Sequence, residues 1–200
     1  LEQDAIKGNV ERVQRDALRI NEAVTKMQRL LSELLELSRI GRLMNPPEDV
    51  PFREIVQESL SLVNGRLKAK QVAVTVEAEF PTEHGDRVRL VQVIQNLVEN
   101  AAKFMGTEQN PRIEIGAITE NDATVFFVRD NGIGSKPEQH ERVFGLFNKL
   151  DANTEGTGIG LALVKRIVEV HGGKIWIESD GQGNGTTFYF TLSESSLNKA

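Results

Sequence analysis

The first 42 residues carry an apolar pattern that few structures can satisfy. Ile6, Val10, Val13, Ala17, Ile20, Val24, Met27, Leu31 and Leu34 follow one another in steps that alternate between four and three. That spacing lines them up along one side of an α-helix, as in the heptad of packed helices. Leu18, Leu30, Leu35 and Leu37 widen the stripe, which suits a helix bundle better than a two-stranded coil. A helix over residues 4–41 would be about 57 Å long. One short globular neighbour cannot cover such a seam, so other long helices are expected against it, in a second copy of the chain or in an upstream segment. A helix folded back on its own domain is the alternative. Gly41 and the pair Pro46-Pro47 mark the stop.

Beyond that stop the pattern changes to alternating helices and strands. Helices are expected at 52–70, with Phe52, Ile55, Val56, Leu60 and Val63 on one face, at 86–104, and from Gly158 to Val170. Strands are expected at Val72–Val76, at Ile113–Ile118 and Ala123–Arg129 joined by a turn at 119–122, and at Lys174–Ser179 and Thr186–Leu192. Hairpins mixed with helices predict an α+β fold, with helices layered on one face of a mixed sheet. The division is expected at residues 1–42 and 43–200. Eleven of the 17 glycines lie between Gly132 and Gly185, so a Gly-poor, helical beginning gives way to a Gly-punctuated end. The absence of cysteine excludes a disulfide scaffold, a thiolate metal site and a cysteine nucleophile. A net charge of −5 argues against a nucleic-acid partner. No apolar run is long enough to span a membrane, and the start at Leu1 suggests a portion of a longer protein.

Four short motifs could carry chemistry. Asn96, Asn100 and Lys103 stand at i, i+4 and i+7 of an otherwise apolar helix. A carboxamide oxygen is a hard neutral ligand for Mg²⁺, and an ammonium offsets phosphate charge; a solvated polar strip is the plainer alternative. Asp130-Asn131-Gly132-Ile133-Gly134 follows a strand. An ionised Asp accepts but cannot donate hydrogen bonds, so it suits the amine of adenine and repels the oxygen of guanine. Gly156-Thr157-Gly158-Ile159-Gly160-Leu161 opens a helix, where bare amides and the dipole favour phosphate. Gly185-Thr186 begins the last strand and could set a hydroxyl beside the Asp. Each motif alone is also compatible with an ordinary turn or surface.

Taken in order, these motifs resemble the N box, the two glycine boxes and the Gly-Thr box of the ATP-binding domain of two-component sensor histidine kinases. The segment Arg142-Val143-Phe144-Gly145-Leu146-Phe147-Asn148-Lys149-Leu150 is similar to the F box of that family. The first segment, ending Leu37-Ser38-Arg39-Ile40, resembles the second helix of the dimerisation and phosphoacceptor hairpin. The resemblance implies the ATP-binding sandwich also used by type II topoisomerases, a heat-shock chaperone and mismatch-repair ATPases. It implies Asn100 as Mg²⁺ ligand with Asn96 beside it, Lys103 near the phosphates and Asp130 on the adenine amine. Gly132 and Gly134 would shape the base pocket; Gly156, Gly158, Gly160 and Leu161 would lie along the phosphates and Thr186 near the Asp. Lys149, where relatives often carry Arg, would reach the terminal phosphate, as a point charge without the planar fork of Arg. Residues 135–157 would form a mobile lid.

The implied activity is transfer of the ATP γ-phosphoryl group to a histidine, for relay to an Asp on a response-regulator receiver domain. The implied partners are a second copy through residues 1–42, that receiver domain and an upstream sensor domain, in a cytoplasmic setting. One departure matters. The acceptor His of the first hairpin helix has no counterpart: the histidines are His84, His140 and His171. His140 would lie in the lid, His171 at a helix end as a cap, and His84 in a surface loop, so the chain alone is not expected to autophosphorylate. Two rivals remain. In a hydrolysing clamp of the chaperone or topoisomerase type, the position of Asn96 is a Glu that activates water, and a neutral amide cannot take that proton. In an inactive scaffold, Mg·ATP would not bind.

Overall fold

The computed structural model describes residues 10–41, 45–120, 123–148 and 156–192. The chain forms two units, the first ending at Ser38 and the second beginning at Arg39. The first is essentially helix α1, Val10–Arg39; Ile6 lies outside the described residues. None of its side chains is buried, and Val10, Ile20, Val24, Met27 and Leu31 of the seam are exposed. No helix among the described residues is long and apolar enough to cross a membrane.

The second unit is a sheet with helices packed on one face. Its strands are β1 Glu48–Pro51, β2 Ala73–Val76, β3 Thr82–Gly85, β4 Arg112–Glu120, β5 Ala123–Asp130, β6 Ile175–Glu178 and β7 Thr186–Phe190. Its helices are α2 Phe52–Ala69, α3 Arg87–Lys103 and α4 Gly160–Val170. The main sheet runs β2-β4-β5-β7-β6, with β2 parallel to β4 and the remaining pairs antiparallel. Strands alternate their side chains between faces, so Phe126, Val128 and Asp130 of β5 share a face with Phe188 and Phe190 of β7. Phe52 at the start of α2 stacks on Phe126 with centroids 4.0 Å apart, and Phe126 stacks on Phe190 at 5.2 Å. All three are buried, with Leu90, Ile94, Leu97 and Val98 of α3 and Val164 and Ile167 of α4.

Several boundaries differ from expectation. β4 runs through Glu120 and β5 starts at Ala123, so Thr119 and Glu120, expected in the turn, belong to the strand, while 121 and 122 lie outside the described residues. Helix α4 begins at Gly160, because Gly158 has φ +78° and cannot join a right-handed helix. On α2, Ser59 is fully buried together with Ile55 and Val56, while Leu60 is half-buried. The Ser59 hydroxyl lies 2.7 Å from the Ile55 carbonyl and 2.9 Å from that of Val91 on α3, so a small residue lets the two helices approach. The antiparallel pair β1–β3 was not anticipated. It places His84 in a strand instead of a loop, with Nδ1 2.7 Å from the Asp49 carboxylate.

Asp86 joins three parts of this unit. It caps α3 by accepting from the Arg89 N–H at 3.2 Å. It also accepts from the Asn45 backbone N–H at 2.8 Å and from the Asn45 amide at 3.0 Å. Its own N–H donates to His171 Nε2 at 3.1 Å, while His171 Nδ1 donates to the Ile167 carbonyl at 2.8 Å. The neutral imidazole thereby ties the end of α4 to the start of α3. Burial opposes the carboxylate charge, but the bonds from Asn45 and Arg89 and the Arg89 charge outweigh it and hold the Asp86 pKa below its ordinary value. A lowered pKa means a contribution that is complete above the unfolded carboxyl value and lost as pH falls through the folded one. Asp86→Ala should therefore cost about 1–2 kcal/mol at neutral pH. Urea unfolding should show the gap between wild type and variant closing as the pH is lowered below about 4.

Candidate functional site

Helix α3 supplies the polar stripe. Apart from the exposed Val88, its apolar residues are buried against α2, α4 and the sheet, which leaves Asn96, Asn100 and Lys103 half-buried on the remaining face. Asn96 Nδ2 donates to the Gln92 carbonyl at 2.8 Å, which fixes the carboxamide with its oxygen directed elsewhere. That oxygen faces Gly160, where a Cβ would stand 2.7 Å from Oδ1. Lys103 Nζ lies against Gly156, where a Cβ would stand 3.2 Å away. The same ammonium sits over the Phe104 ring, 4.6 Å from its centroid. Two residues of the stripe and two glycines remote in sequence thus meet. Lys70 reaches the same end of α3, donating to the Ala102 carbonyl at 2.9 Å. Glu99 is drawn to the other side, 3.1 Å from Arg66 of α2.

The N-terminus of α4 opens into this space. Among its first residues, Gly160 and Leu161 are half-buried and Ile159 is fully buried. The Gly158 carbonyl accepts from the Phe147 N–H at 3.0 Å, which joins the F-box segment to the second glycine motif. Phe144 is buried, edge-on to Phe188 at 6.3 Å. Of the segment expected as a lid, 135–148 and 156–157 are described, with short 3₁₀ turns at Pro137–Gln139 and Arg142–Phe144. Lys149 lies outside the described residues.

Asp130 ends β5 opposite Thr186 of β7. It is 7% exposed, and its Oδ1 accepts from the Gly132 N–H at 2.8 Å. Burial raises its pKa to about 6, against the pull of backbone bonds from Gly132 and Thr186. At neutral pH the group is an ionised acceptor with few partners. The loop after it is closely packed: a Cβ on Gly132 would strike the Phe104 carbonyl, and one on Gly134, at φ +70°, the Gly181 carbonyl. The Gly185-Thr186 turn lies against Asp130, and Gly185 N–H donates to the Gly132 carbonyl at 3.1 Å.

Among the described residues, no group of three or more His, Cys, Asp or Glu could hold a metal. The donor set is therefore one of neutral amides, ammonium and bare backbone N–H groups, which suits an anionic ligand that brings its own oxygens. Sequence reasoning named these residues but missed Lys70, whose reach to α3 leaves no trace in spacing, and Ser179, treated below.

A family model described as histidine kinase-, DNA gyrase B-, and HSP90-like ATPase matches residues 85–196. A methanogenesis regulatory histidine kinase of Methanothrix harundinacea is 50% identical over 182 residues, 91% of this chain and 20% of that protein. The chain thus spans about a fifth of that relative's length. A crystal structure of full-length ShkA in complex with AMPPNP covers 90% of this chain and 38% of its own, at 26% identity and TM-score 0.72. The histidine kinase ThkA, solved in complex with the response regulator TrrA, shares the fold at TM-score 0.72 and 23% identity, covering 98% of this chain and 58% of its own.

The raised pKa of Asp130 has a sign that can be checked. The folded state holds this proton more tightly than the unfolded chain, so stability falls as pH rises from 3.8 to about 6 and is then level. Asp130→Asn should lack this fall. Thermal unfolding across that range should show the variant gaining on wild type as pH rises.

Proposed function

The chain belongs to the histidine kinase-, DNA gyrase B-, and HSP90-like ATPase family, and on that premise we propose that it is the ATP-binding, phosphoryl-transferring region of a sensor histidine kinase. The observation that carries the reading is the meeting of Asn96 with Gly160 and of Lys103 with Gly156. It sets a polar helix face against the bare amides of another helix N-terminus, beside a buried carboxylate suited to adenine.

Each residue then has a task. Asp130 accepts from the adenine amine, and Gly132 and Gly134 leave room for the flat ring. The amides of Gly158, Gly160 and Leu161 and the α4 dipole hold phosphate oxygens. Lys103 offsets their charge, with Lys149 assigned to the terminal phosphate. The Asn100 carboxamide oxygen is the proposed protein ligand for Mg²⁺; the ion, when bound, neutralises charge developing on the phosphates. Thr186 supports the Asp from the neighbouring strand. Asn96 can orient but not deprotonate a water, so the site favours transfer over hydrolysis.

The acceptor is assigned to another helix. His171 has both nitrogens engaged, and His84 Nδ1 is paired with Asp49. We assign residues 1–42 to the dimerisation hairpin and residues 43–200 to the catalytic domain. The exposed apolar side chains of α1 favour pairing with a second copy. A response-regulator receiver domain is the proposed onward acceptor, as the ThkA complex with TrrA suggests.

Calorimetry tests the site. Asn100→Ala should abolish the Mg²⁺ dependence of ATP binding, and Asp130→Ala should reduce the preference for ATP over GTP by about 10- to 100-fold. ATP affinity should fall as pH drops through about 6, because the protonated carboxyl of Asp130 must first lose its proton. Retained affinity and selectivity in both variants would refute the assignment. Labelled ATP, Mg²⁺ and a separately supplied helix carrying a histidine kinase acceptor segment should yield acid-labile phosphohistidine on that helix. Steady ATP hydrolysis without transfer would favour the clamp reading.

A further inference from the structure

The base pocket is built almost wholly of backbone. Gly132 N–H meets the Asp130 carboxylate, Gly185 N–H meets the Gly132 carbonyl at 3.1 Å, and Gly183 N–H meets the Ile133 carbonyl at 2.7 Å. Two loops, the one after β5 and the one between β6 and β7, therefore close on each other beside Asp130. Neither is a regular element, and glycine makes both intrinsically loose.

A serine hydroxyl also joins the loops. Ser179, the residue after β6, has its hydroxyl 2.7 Å from the Gly185 carbonyl and 3.0 Å from the Ser135 N–H. The Gly181 N–H lies at 3.4 Å. A hydroxyl has one proton to donate and two lone pairs to accept with; here it donates to Gly185 and accepts from Ser135 and Gly181. The same oxygen would stand 3.2 Å from a Cβ at Gly134. The hydroxyl thus bonds the residue that follows Gly134 and the glycine before Thr186.

We infer that Ser179 is a positioning residue for nucleotide base recognition, holding the Gly134-Ser135 backbone against the Gly181–Gly185 turn so that Asp130 meets adenine in one fixed register. The inference rests on the nucleotide-binding reading above and deepens it. It gives Ser179 no contact with the phosphates, whose binding groups lie on α3 and α4. Loss of the hydroxyl leaves the Ser135 N–H and the Gly185 carbonyl without this partner and frees the loops to separate. The cost should appear in discrimination between bases more than in the capacity to hold a triphosphate.

The test is competition binding of Mg·ATP and Mg·GTP to the full chain, at a temperature where circular dichroism shows each variant folded. Ser179→Ala should weaken ATP about tenfold, with GTP weakened much less, so that the preference narrows. Ser179→Thr, which restores the hydroxyl, should recover the preference. Ser179→Cys, of similar shape with a weaker donor, supplies the comparison should the alanine variant not fold. A wild-type ATP-to-GTP ratio in the tested variant, or equal losses for both nucleotides, overturns the inference while leaving the nucleotide site intact. Wild-type protein that binds neither nucleotide overturns both.

Discussion

The arrangement depends on the angular setting of α3. A helix is a rigid screw, so fixing its first turn fixes the direction in which every later residue points. Asp86 provides that fixing. Its carboxylate closes the first turn through Arg89 and receives Asn45, and its backbone N–H is received by His171 at the end of α4. Leaving such a carboxylate buried without partners would be costly; here its charge is sustained by the bonds it accepts. At the other end Lys70 donates to the Ala102 carbonyl, where the helix dipole favours a cation. With both ends held and the apolar face buried, Asn96, Asn100 and Lys103 fall on the remaining face.

That setting also explains how α4 becomes useful. The link through His171 places the end of α4 beside the start of α3, and Gly160 lies against Asn96 part-way along it. A side chain at Gly160 would meet the carboxamide oxygen. Glycine there keeps a helix N-terminus, with its unsatisfied N–H groups, next to a polar face instead of behind a hydrocarbon cover.

Much of this was legible in the sequence. The stripe of α3 could be read because helical periodicity converts spacing into direction. The place of Asp130 could be read from a carboxylate ending an apolar strand ahead of two glycines. What could not be read were the partners. Nothing in the order of residues says that Gly160 faces Asn96 or Gly156 faces Lys103; those are properties of packing. β1 and β3 were invisible for a different reason. Glu48–Pro51, which carries a proline, and Thr82–Gly85 are too short and polar to alternate, and each exists because the other is there to pair with. Ser59 inverted an expectation drawn from apolarity, because helix proximity selected size over hydrophobicity. Ser179 gave no signal, since a serine at a strand end is ordinary until its bonds are known.

The identity of residue 96 shapes what the site can do. Its Nδ2 is committed to the Gln92 carbonyl, so Oδ1 is the atom left to face Gly160. That atom can accept a hydrogen bond but cannot remove a proton from water at neutral pH. Glu99, the nearest carboxylate on the same helix, is engaged by Arg66 on the far side. The polar stripe of α3 therefore presents no general base. On the proposed reading, a triphosphate beside it would be activated by charge and position, and its terminal group would await a nucleophile brought by another surface. On that reading, division of labour between a holding domain and a separately supplied acceptor would rest on the chemistry of one amide.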